Sequence, residues 1–335
     1  MHTVVCTPPN TSAVSIPLYS VYALVNIASS TMLFITIEGC YIALSPAISM
    51  IASSVKGSTS VGERMTVFVL RVSALYLLTI AALTMLAPEL MTNLLGGGRD
   101  PTCYPWIRYI GPMLAAFGGA LLAVRHEPSA NPILLRSVAV FALVQVLLDI
   151  SLVICNGFRY ATMAVDAVIL SMVALTCVGL ERSARRQRNK FKNSAVNGVH
   201  RPKHLQATLV LVSGYLFLGG ICALLLPQLM NRVLNYSLGK SCIPWVQLTG
   251  PPAIGMALAF AFAAWSPASN VRAVMPLAMV GCVIELCLDV FIIWDDSFKF
   301  WPVLADMVIV GAFLVSLVIA WPYVYPRDSS VGARH

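Results

Sequence analysis

The 335 residues are 58% apolar and 11% charged, with a mean hydropathy of +0.81 and a formal net charge of +8. Soluble domains carry about 25% charged residues, so this composition predicts an integral membrane protein. The apolar segments are long enough for helices, for which ~20 residues cross the hydrocarbon core, and they lack the ~10-residue alternation of a β-barrel. Nucleic acid is not an expected partner, because the basic residues are concentrated beside a predicted membrane helix and no folded binding motif is present.

The apolar segments predict an all-α bundle of about nine transmembrane helices. The polar N-terminus lacks a basic n-region, so no cleavable signal peptide is expected, and residues 17–52 supply a first helix. Eight further helices form two sets of four around a basic linker that contains eight Lys and Arg. The eight are predicted near 65–87, 106–124, 132–155, 160–180, 205–226, 245–264, 271–294 and 301–323. The segments are then a lumenal N-terminus with the first helix (1–64), repeat one (65–180), the cytoplasmic linker (181–204), repeat two (205–323) and a polar tail (324–335).

The two sets of four helices share residues at many positions that are separated by a nearly constant offset. At an offset of 139, the matching pairs are Pro88 and Pro227, Cys103 and Cys242, Trp106 and Trp245, Gly111 and Gly250, and Pro112 and Pro251. At an offset of 140, they are Gln145 and Glu285, Asp149 and Asp289, Phe158 and Phe298, and Asp166 and Asp306. So many matches at nearly one offset predict a tandem duplication. An even number of helices in each repeat makes the repeats parallel.

Topology follows from the distribution of basic residues. Lys and Arg mark the cytoplasmic side, which places the linker there and, with nine helices, the N-terminus in the lumen. The sequons that begin at Asn10 and Asn235 then both face the lumen, so both asparagines are predicted glycosylation sites. The expected location is the endoplasmic reticulum or another endomembrane, with membrane lipids as partners.

Five carboxylates inside the predicted helices are the candidate catalytic residues: Asp149, Asp166, Glu285, Asp289 and Asp306. Ionisable side chains inside a bilayer cost several kcal/mol, so each one is a functional hypothesis. Asp149 and Asp166 lie equally far from the lumenal ends of adjacent antiparallel helices. At 1.5 Å per residue both lie about 9 Å below the lumenal interface, and Asp289 and Asp306 repeat this arrangement.

Other side chains complete a predicted lumen-facing polar pocket. The i,i+4 spacing places Gln145 beside Asp149 and Glu285 beside Asp289 on one helix face. The proline of each Gly-Pro pair frees a carbonyl, and the glycine permits close backbone approach. The candidate substrate-binding residues are Gln145, Trp106, Trp245, Tyr76 and Tyr215. Both tryptophans can instead be anchors at the membrane interface.

Structural interpretations stand beside the functional one. In one alternative, Asp149 and Asp289 have no catalytic role. They hold neighbouring helices together, or they pair with Arg159 and Lys299. A polar residue can also recur because the packing of an ancestral module recurs.

Cysteine and histidine give little sign of a metal or cofactor. Cys103 and Cys242 can form disulfides in lumenal loops, with Cys6 as a further candidate, and nothing in the sequence selects a pairing. The histidines all lie outside the predicted helices: His2, His126, His200, His204 and His335. Zincin, serine-hydrolase, P-loop and dinucleotide motifs are absent, so no metal and no cofactor is expected.

The chain resembles the small multi-helix membrane proteins of fungal metabolite clusters, among them the membrane-bound epoxide hydrolases and cyclases of polyketide-ether and meroterpenoid pathways. The resemblance rests on size, helix number and the intramembrane carboxylates of residues 65–323. It implies a cofactor-free membrane enzyme that opens or cyclises an epoxide on a lipophilic secondary metabolite. One carboxylic acid protonates the epoxide oxygen, and a second carboxylate deprotonates the attacking water or hydroxyl.

Two other functions remain open: a proton-coupled transporter or exporter of a small lipophilic molecule, and a non-catalytic scaffold or receptor. The repeats also differ at one acidic position, where Gln145 corresponds to Glu285. If only one half is catalytic, the extra carboxylate favours the second.

Overall fold

The computed structural model describes residues 59–96, 100–124, 132–156, 158–190, 203–234, 240–265, 268–295 and 298–324. The predicted first helix at 17–52, the polar tail and the predicted glycosylation sites Asn10 and Asn235 lie outside these ranges. Within them the chain is helical and contains no β-strand.

Ten α-helices occur in the described ranges. In chain order they are α1 (Thr59–Leu86), α2 (Pro88–Leu95), α3 (Tyr104–Val124), α4 (Pro132–Asn156), α5 (Tyr160–Lys190), α6 (Lys203–Leu225), α7 (Pro227–Leu234), α8 (Ile243–Trp265), α9 (Ala268–Trp294) and α10 (Phe300–Val324). Short 3-10 turns at Pro101–Cys103 and Lys240–Cys242 precede α3 and α8. We refer to α1–α5 as the first half and to α6–α10 as the second half.

Seven of these helices are long and apolar enough to cross a membrane, which indicates a multi-pass membrane protein. They are α1, α4, α5, α6, α8, α9 and α10. Helix α3 has 21 residues but is not among the seven. The total of nine therefore stays a prediction.

Helices α3 and α8 lie at the centre of the bundle. Helix α1 packs on α3 as α6 packs on α8, and α5 packs on α4 as α10 packs on α9. Across the halves, α4 packs on α8 and α9 packs on α3. Helix α8 is accordingly the most enclosed span, with 72% of its apolar window buried. Each half therefore packs one of its helices against the central helix of the other.

The Gly-Pro pairs lie where the central helices closely approach their neighbours. A Cβ on Gly250 would lie 2.9 Å from the carbonyl oxygen of Gly220, and one on Gly111 would lie 3.1 Å from that of Ala81. The predicted close approach at both glycines is therefore present. Pro112 and Pro251 lie within α3 and α8, which continue through them.

The sequence did not predict the short helices α2 and α7. Each is tied to the segment before the last helix of its half: Arg159 N donates to Leu95 O, and Lys299 N donates to Leu234 O, both at 2.8 Å. A second difference is that α5 runs to Lys190 through the start of the predicted linker. Arg, Glu, Gln, Ala and Lys dominate that extension and are good helix formers. His204, expected outside the helices, is the second residue of α6.

Candidate functional site

Three helices bring four predicted site residues together in the first half. Gln145 Nε2 donates to Asp149 Oδ1 at 2.7 Å, as their i,i+4 spacing predicts. The Tyr76 hydroxyl donates to Asp166 Oδ1 at 2.5 Å. The carboxyl groups of Asp149 and Asp166 lie close enough to influence each other electrostatically, as expected for residues at equal depth on adjacent helices. We call Tyr76, Gln145, Asp149 and Asp166 the first-half cluster.

The second-half cluster consists of Tyr215, Glu285, Asp289 and Asp306. The Tyr215 hydroxyl donates to Asp306 Oδ1, at positions equivalent to Tyr76 and Asp166. Glu285 is close enough to Asp289 and Asp306 for electrostatic repulsion. A residue from the other half completes this cluster, because the Tyr109 hydroxyl on α3 donates to Asp289 Oδ1 at 2.5 Å.

The proposed ion pairs of Asp149 with Arg159 and of Asp289 with Lys299 are absent from the part of the chain that the structure describes. The interpretation that these aspartates serve as ion-pair partners was therefore wrong. They point into the bundle instead, where Asp149 is 1% and Asp289 0% exposed.

One oxygen of each buried aspartate lacks a hydrogen-bond donor. These atoms are Oδ2 of Asp149 and Oδ2 of Asp289. A buried polar atom without a partner is costly, so the two positions are suited to receive a proton or a hydroxyl. Two neighbouring carboxyl groups in a low-dielectric site form an arrangement in which one serves as an acid and the other as a base.

A cavity of about 100 Å³ adjoins the first-half cluster. Its polar lining includes Tyr76, Gln145 and Asp166, whereas Trp245 and Leu248 on α8 contribute to its mostly apolar wall. The cavity is thus formed by side chains of both halves.

The corresponding region of the second half is more filled. A cavity of about 30 Å³ lies beside Tyr215 and Glu285. The Tyr109 ring stacks on Phe298 with the ring centroids 5.7 Å apart, and its hydroxyl reaches Asp289. The larger cavity therefore lies beside the half without the extra carboxylate, contrary to the preference based on Glu285.

The two tryptophans are buried, so their interpretation as membrane-interface anchors was wrong. Trp106 and Trp245 are 3% and 1% exposed. Trp106 Nε1 donates to Asn231 Oδ1 on α7 at 2.9 Å, and Trp245 lines the first-half cavity beside residues of α2. The short helices, which the sequence analysis missed, cover both indoles.

Each tryptophan also packs edge-to-face on a phenylalanine of the other half. The ring centroids of Trp106 and Phe298 lie 5.1 Å apart, and those of Trp245 and Phe158 lie 5.5 Å apart. These four residues therefore form two equivalent contacts across the halves.

Cys103 and Cys242 form a disulfide between the 3-10 turns of the two halves. Asp100 beside it accepts hydrogen bonds from the hydroxyls of Ser241 and Thr102, both at 2.6 Å. These bonds, that of Ser241 first, hold the pKa of the Asp100 carboxyl below its ordinary value. Asp100 and the two sulfurs lie within 4.8 Å of one another, but sulfurs bonded to each other are not available as thiolate metal ligands.

Tyr109, Leu248 and Asn231 are site residues that the sequence analysis missed. Tyr109 corresponds to Leu248 at an offset of 139, so a search for residues shared by the repeats passes over both. One feature of the sequence could have identified Tyr109 as a site residue: it lies one helical turn after Trp106 and beside Gly111. Asn231 could have been found only by recognising α7 as a helix.

Comparisons with protein-family models, with curated proteins and with solved structures give no match to this chain.

Proposed function

We propose that this protein is a membrane-embedded enzyme that opens or cyclises an epoxide on a lipophilic metabolite by carboxylate acid/base catalysis. The observation that carries the proposal is the juxtaposition of Asp149 and Asp166, two interacting carboxyl groups, with a mostly apolar cavity lined by Asp166. An acid and a base at one end of an apolar cavity are what the opening of an unactivated epoxide requires.

In the proposed reaction, the Asp149–Asp166 pair donates one proton and receives one. The protonated carboxyl gives its proton to the epoxide oxygen as the carbon–oxygen bond breaks. Water or a hydroxyl of the substrate bonds to the released carbon, and its proton passes to the other carboxylate. The pair again holds one proton at the end of the turnover, so no added oxidant, reductant or cofactor is needed.

Tyr76 and Gln145 hold the two carboxyl groups in place. Each donates a hydrogen bond to one oxygen of its aspartate, which fixes the side-chain orientation and leaves the other oxygen for chemistry. The cavity of about 100 Å³ is smaller than the ~300–1,000 Å³ of a drug-sized site. It therefore holds the reacting end of the substrate, while the remaining apolar chain lies between the helices or in the bilayer.

We also propose that the two halves arose by tandem duplication of a four-helix membrane module, within a bundle of nine transmembrane helices. Equivalent contacts support this, including Tyr76 with Asp166 and Tyr215 with Asp306. The Cys103–Cys242 disulfide is of the kind that persists in oxidising compartments. It supports a lumenal location for this end of the bundle and an endomembrane location for the protein.

The test is turnover of a panel of polyprenyl and polyene epoxides by the purified protein, with products identified by mass spectrometry in H₂¹⁸O. Asp149→Asn and Asp166→Asn should abolish formation of the diol or cyclic ether. The matched variants Asp289→Asn and Asp306→Asn should retain most activity, because they change the half with the smaller cavity. Full activity in folded Asp149→Asn and Asp166→Asn would refute the proposal. Efflux driven by a pH gradient in proteoliposomes, without turnover, would favour the transporter.

A further inference from the structure

The central helices carry different side chains at one equivalent position, Tyr109 on α3 and Leu248 on α8. Tyr109 extends toward α9 and donates its hydroxyl to Asp289. Leu248, which is 7% exposed, lies on the helix that packs against α4 and lines the first-half cavity. Leucine is shorter than tyrosine and has no hydroxyl, so it cannot supply the equivalent hydrogen bond to Asp149.

The second half therefore contains, as part of the chain, a group that the first half lacks. That group is the Tyr109 ring, whose hydroxyl donates to Asp289, whereas the equivalent Asp149 accepts a hydrogen bond from the Gln145 amide instead. In each half the buried aspartate retains one oxygen without a donor, but the cavity beside the first-half cluster measures about 100 Å³ and the one beside the second-half cluster about 30 Å³. A dry cavity of ~150 Å³ binds benzene, and the first-half cavity has about two-thirds of that volume, so one small ring is the largest group that it accepts.

We infer that the first-half cavity binds a ring-sized apolar group that carries a hydroxyl, and that this hydroxyl donates to the Asp149–Asp166 pair as Tyr109 donates to Asp289. Leu248 is the specificity-determining residue, because it leaves the space that a tyrosine would fill. The inference rests on the proposed function and names its substrate class: a lipophilic phenol or cyclic alcohol that also bears an epoxide.

In the proposed reaction the hydroxyl is the internal nucleophile. Its proton passes to the carboxylate, its oxygen bonds to an epoxide carbon, and that carbon's bond to the epoxide oxygen breaks as this oxygen takes the proton of the carboxylic acid. Substrate and product are isomers, and the product is a cyclic ether.

The inference is tested by binding, without turnover. The probe is p-cresol, which is the side chain of tyrosine, and toluene is the matched probe without a hydroxyl. Both are titrated into the purified full-length protein in micelles by calorimetry, with protein-free micelles subtracted. The wild type should bind one p-cresol saturably and bind toluene at least 10-fold more weakly.

Two variants change the cavity in opposite directions. Leu248→Tyr should lose p-cresol binding, because the new phenol occupies the cavity. Tyr109→Leu should raise the stoichiometry toward two, because it opens the equivalent space in the second half. Leu248→Phe fills the cavity without the hydroxyl and should also abolish binding, so the test does not depend on the folding of one variant.

Equal binding of toluene and p-cresol, or wild-type binding of p-cresol by folded Leu248→Tyr and Leu248→Phe, would overturn the inference. Epoxide turnover by Leu248→Tyr at the wild-type rate would overturn it too, while leaving the proposed function intact. Hydroxyl-dependent binding that Leu248→Tyr abolishes, in a protein that turns over no epoxide, would support the inference and count against the proposed function.

Discussion

Cys103 and Cys242, which stand at equivalent positions in the two halves, are bonded to each other rather than to other cysteines. The bond links the turns that precede α3 and α8, the two central helices. It thus fixes the N-terminal ends of those helices at the point where the halves meet.

Replacement of either cysteine should therefore weaken the association of the halves. We expect Cys103→Ser, Cys242→Ser and the double variant to lose the same stability, about 2–5 kcal/mol, because each removes the same bond. Thermal unfolding in detergent measures the loss, and maleimide labelling with and without reductant detects the bond. Cys287→Ser, at an exposed free cysteine, is the control. An additive loss in the double variant would contradict the pairing.

Asp100, which lies beside the disulfide, should make the stability of the protein depend on pH in the acidic range. Its folded-state pKa is lowered by the hydrogen bonds from Ser241 and Thr102, so the stabilisation is fully present above the ordinary pKa. It is lost as the pH falls through the lowered folded-state pKa. Asp100→Asn should thus be less stable than the wild type near neutral pH, and the difference should shrink below about pH 4.

Unfolding midpoints measured across that pH range test this expectation. Ser241→Ala removes the hydrogen bond that lowers the Asp100 pKa most, so it should reproduce part of the stability loss of Asp100→Asn. If the stability difference between wild type and Asp100→Asn grew as the pH fell, the predicted direction of the pH dependence would be wrong.

Asn231 should be important because it pairs with a buried indole. Asn231→Leu leaves the Trp106 N–H without its acceptor, at a cost of about 1–3 kcal/mol. Adding Trp106→Phe to Asn231→Leu removes both partners, so the second substitution should cost less than it does in the wild type. Chemical unfolding of the four proteins in a double-mutant cycle measures the coupling, and strict additivity would argue against the bond.

Tyr76→Phe tests the positioning of Asp166 in the proposed enzyme. Loss of the hydroxyl that orients the carboxyl should lower kcat about 10- to 100-fold with little change in KM. Tyr215→Phe removes the equivalent bond to Asp306 and should leave kcat close to the wild-type value. Equal losses in both variants would mean that the two halves contribute equally to catalysis.

Helical geometry made part of the site predictable from sequence. A rise of 1.5 Å per residue placed Asp149 level with Asp166, and the i,i+4 spacing predicted the bond from Gln145. These relationships lie within one helix or between sequential helices, so local geometry determines them.

Contacts between the halves could not be predicted from the geometry of single helices. The pairing of Cys103 with Cys242 depends on which surfaces of the two halves meet, and sequence periodicity does not encode that. Tyr109 was missed because the repeat comparison retains what the halves share, whereas Tyr109 matters through its difference from Leu248. The tryptophans were misplaced because α2 and α7, at eight residues each, are too short to stand out in a hydropathy pattern.

The packing of α8 against α4 bears on how the two cavities could have come to differ. If a single four-helix module once formed a symmetric pair, one residue would have had to serve as the cavity wall in both copies. Joining the copies in one chain would remove that constraint, because the wall residue of each cavity would then be encoded separately. Leucine at one position and tyrosine at the other is a combination that a symmetric dimer cannot have.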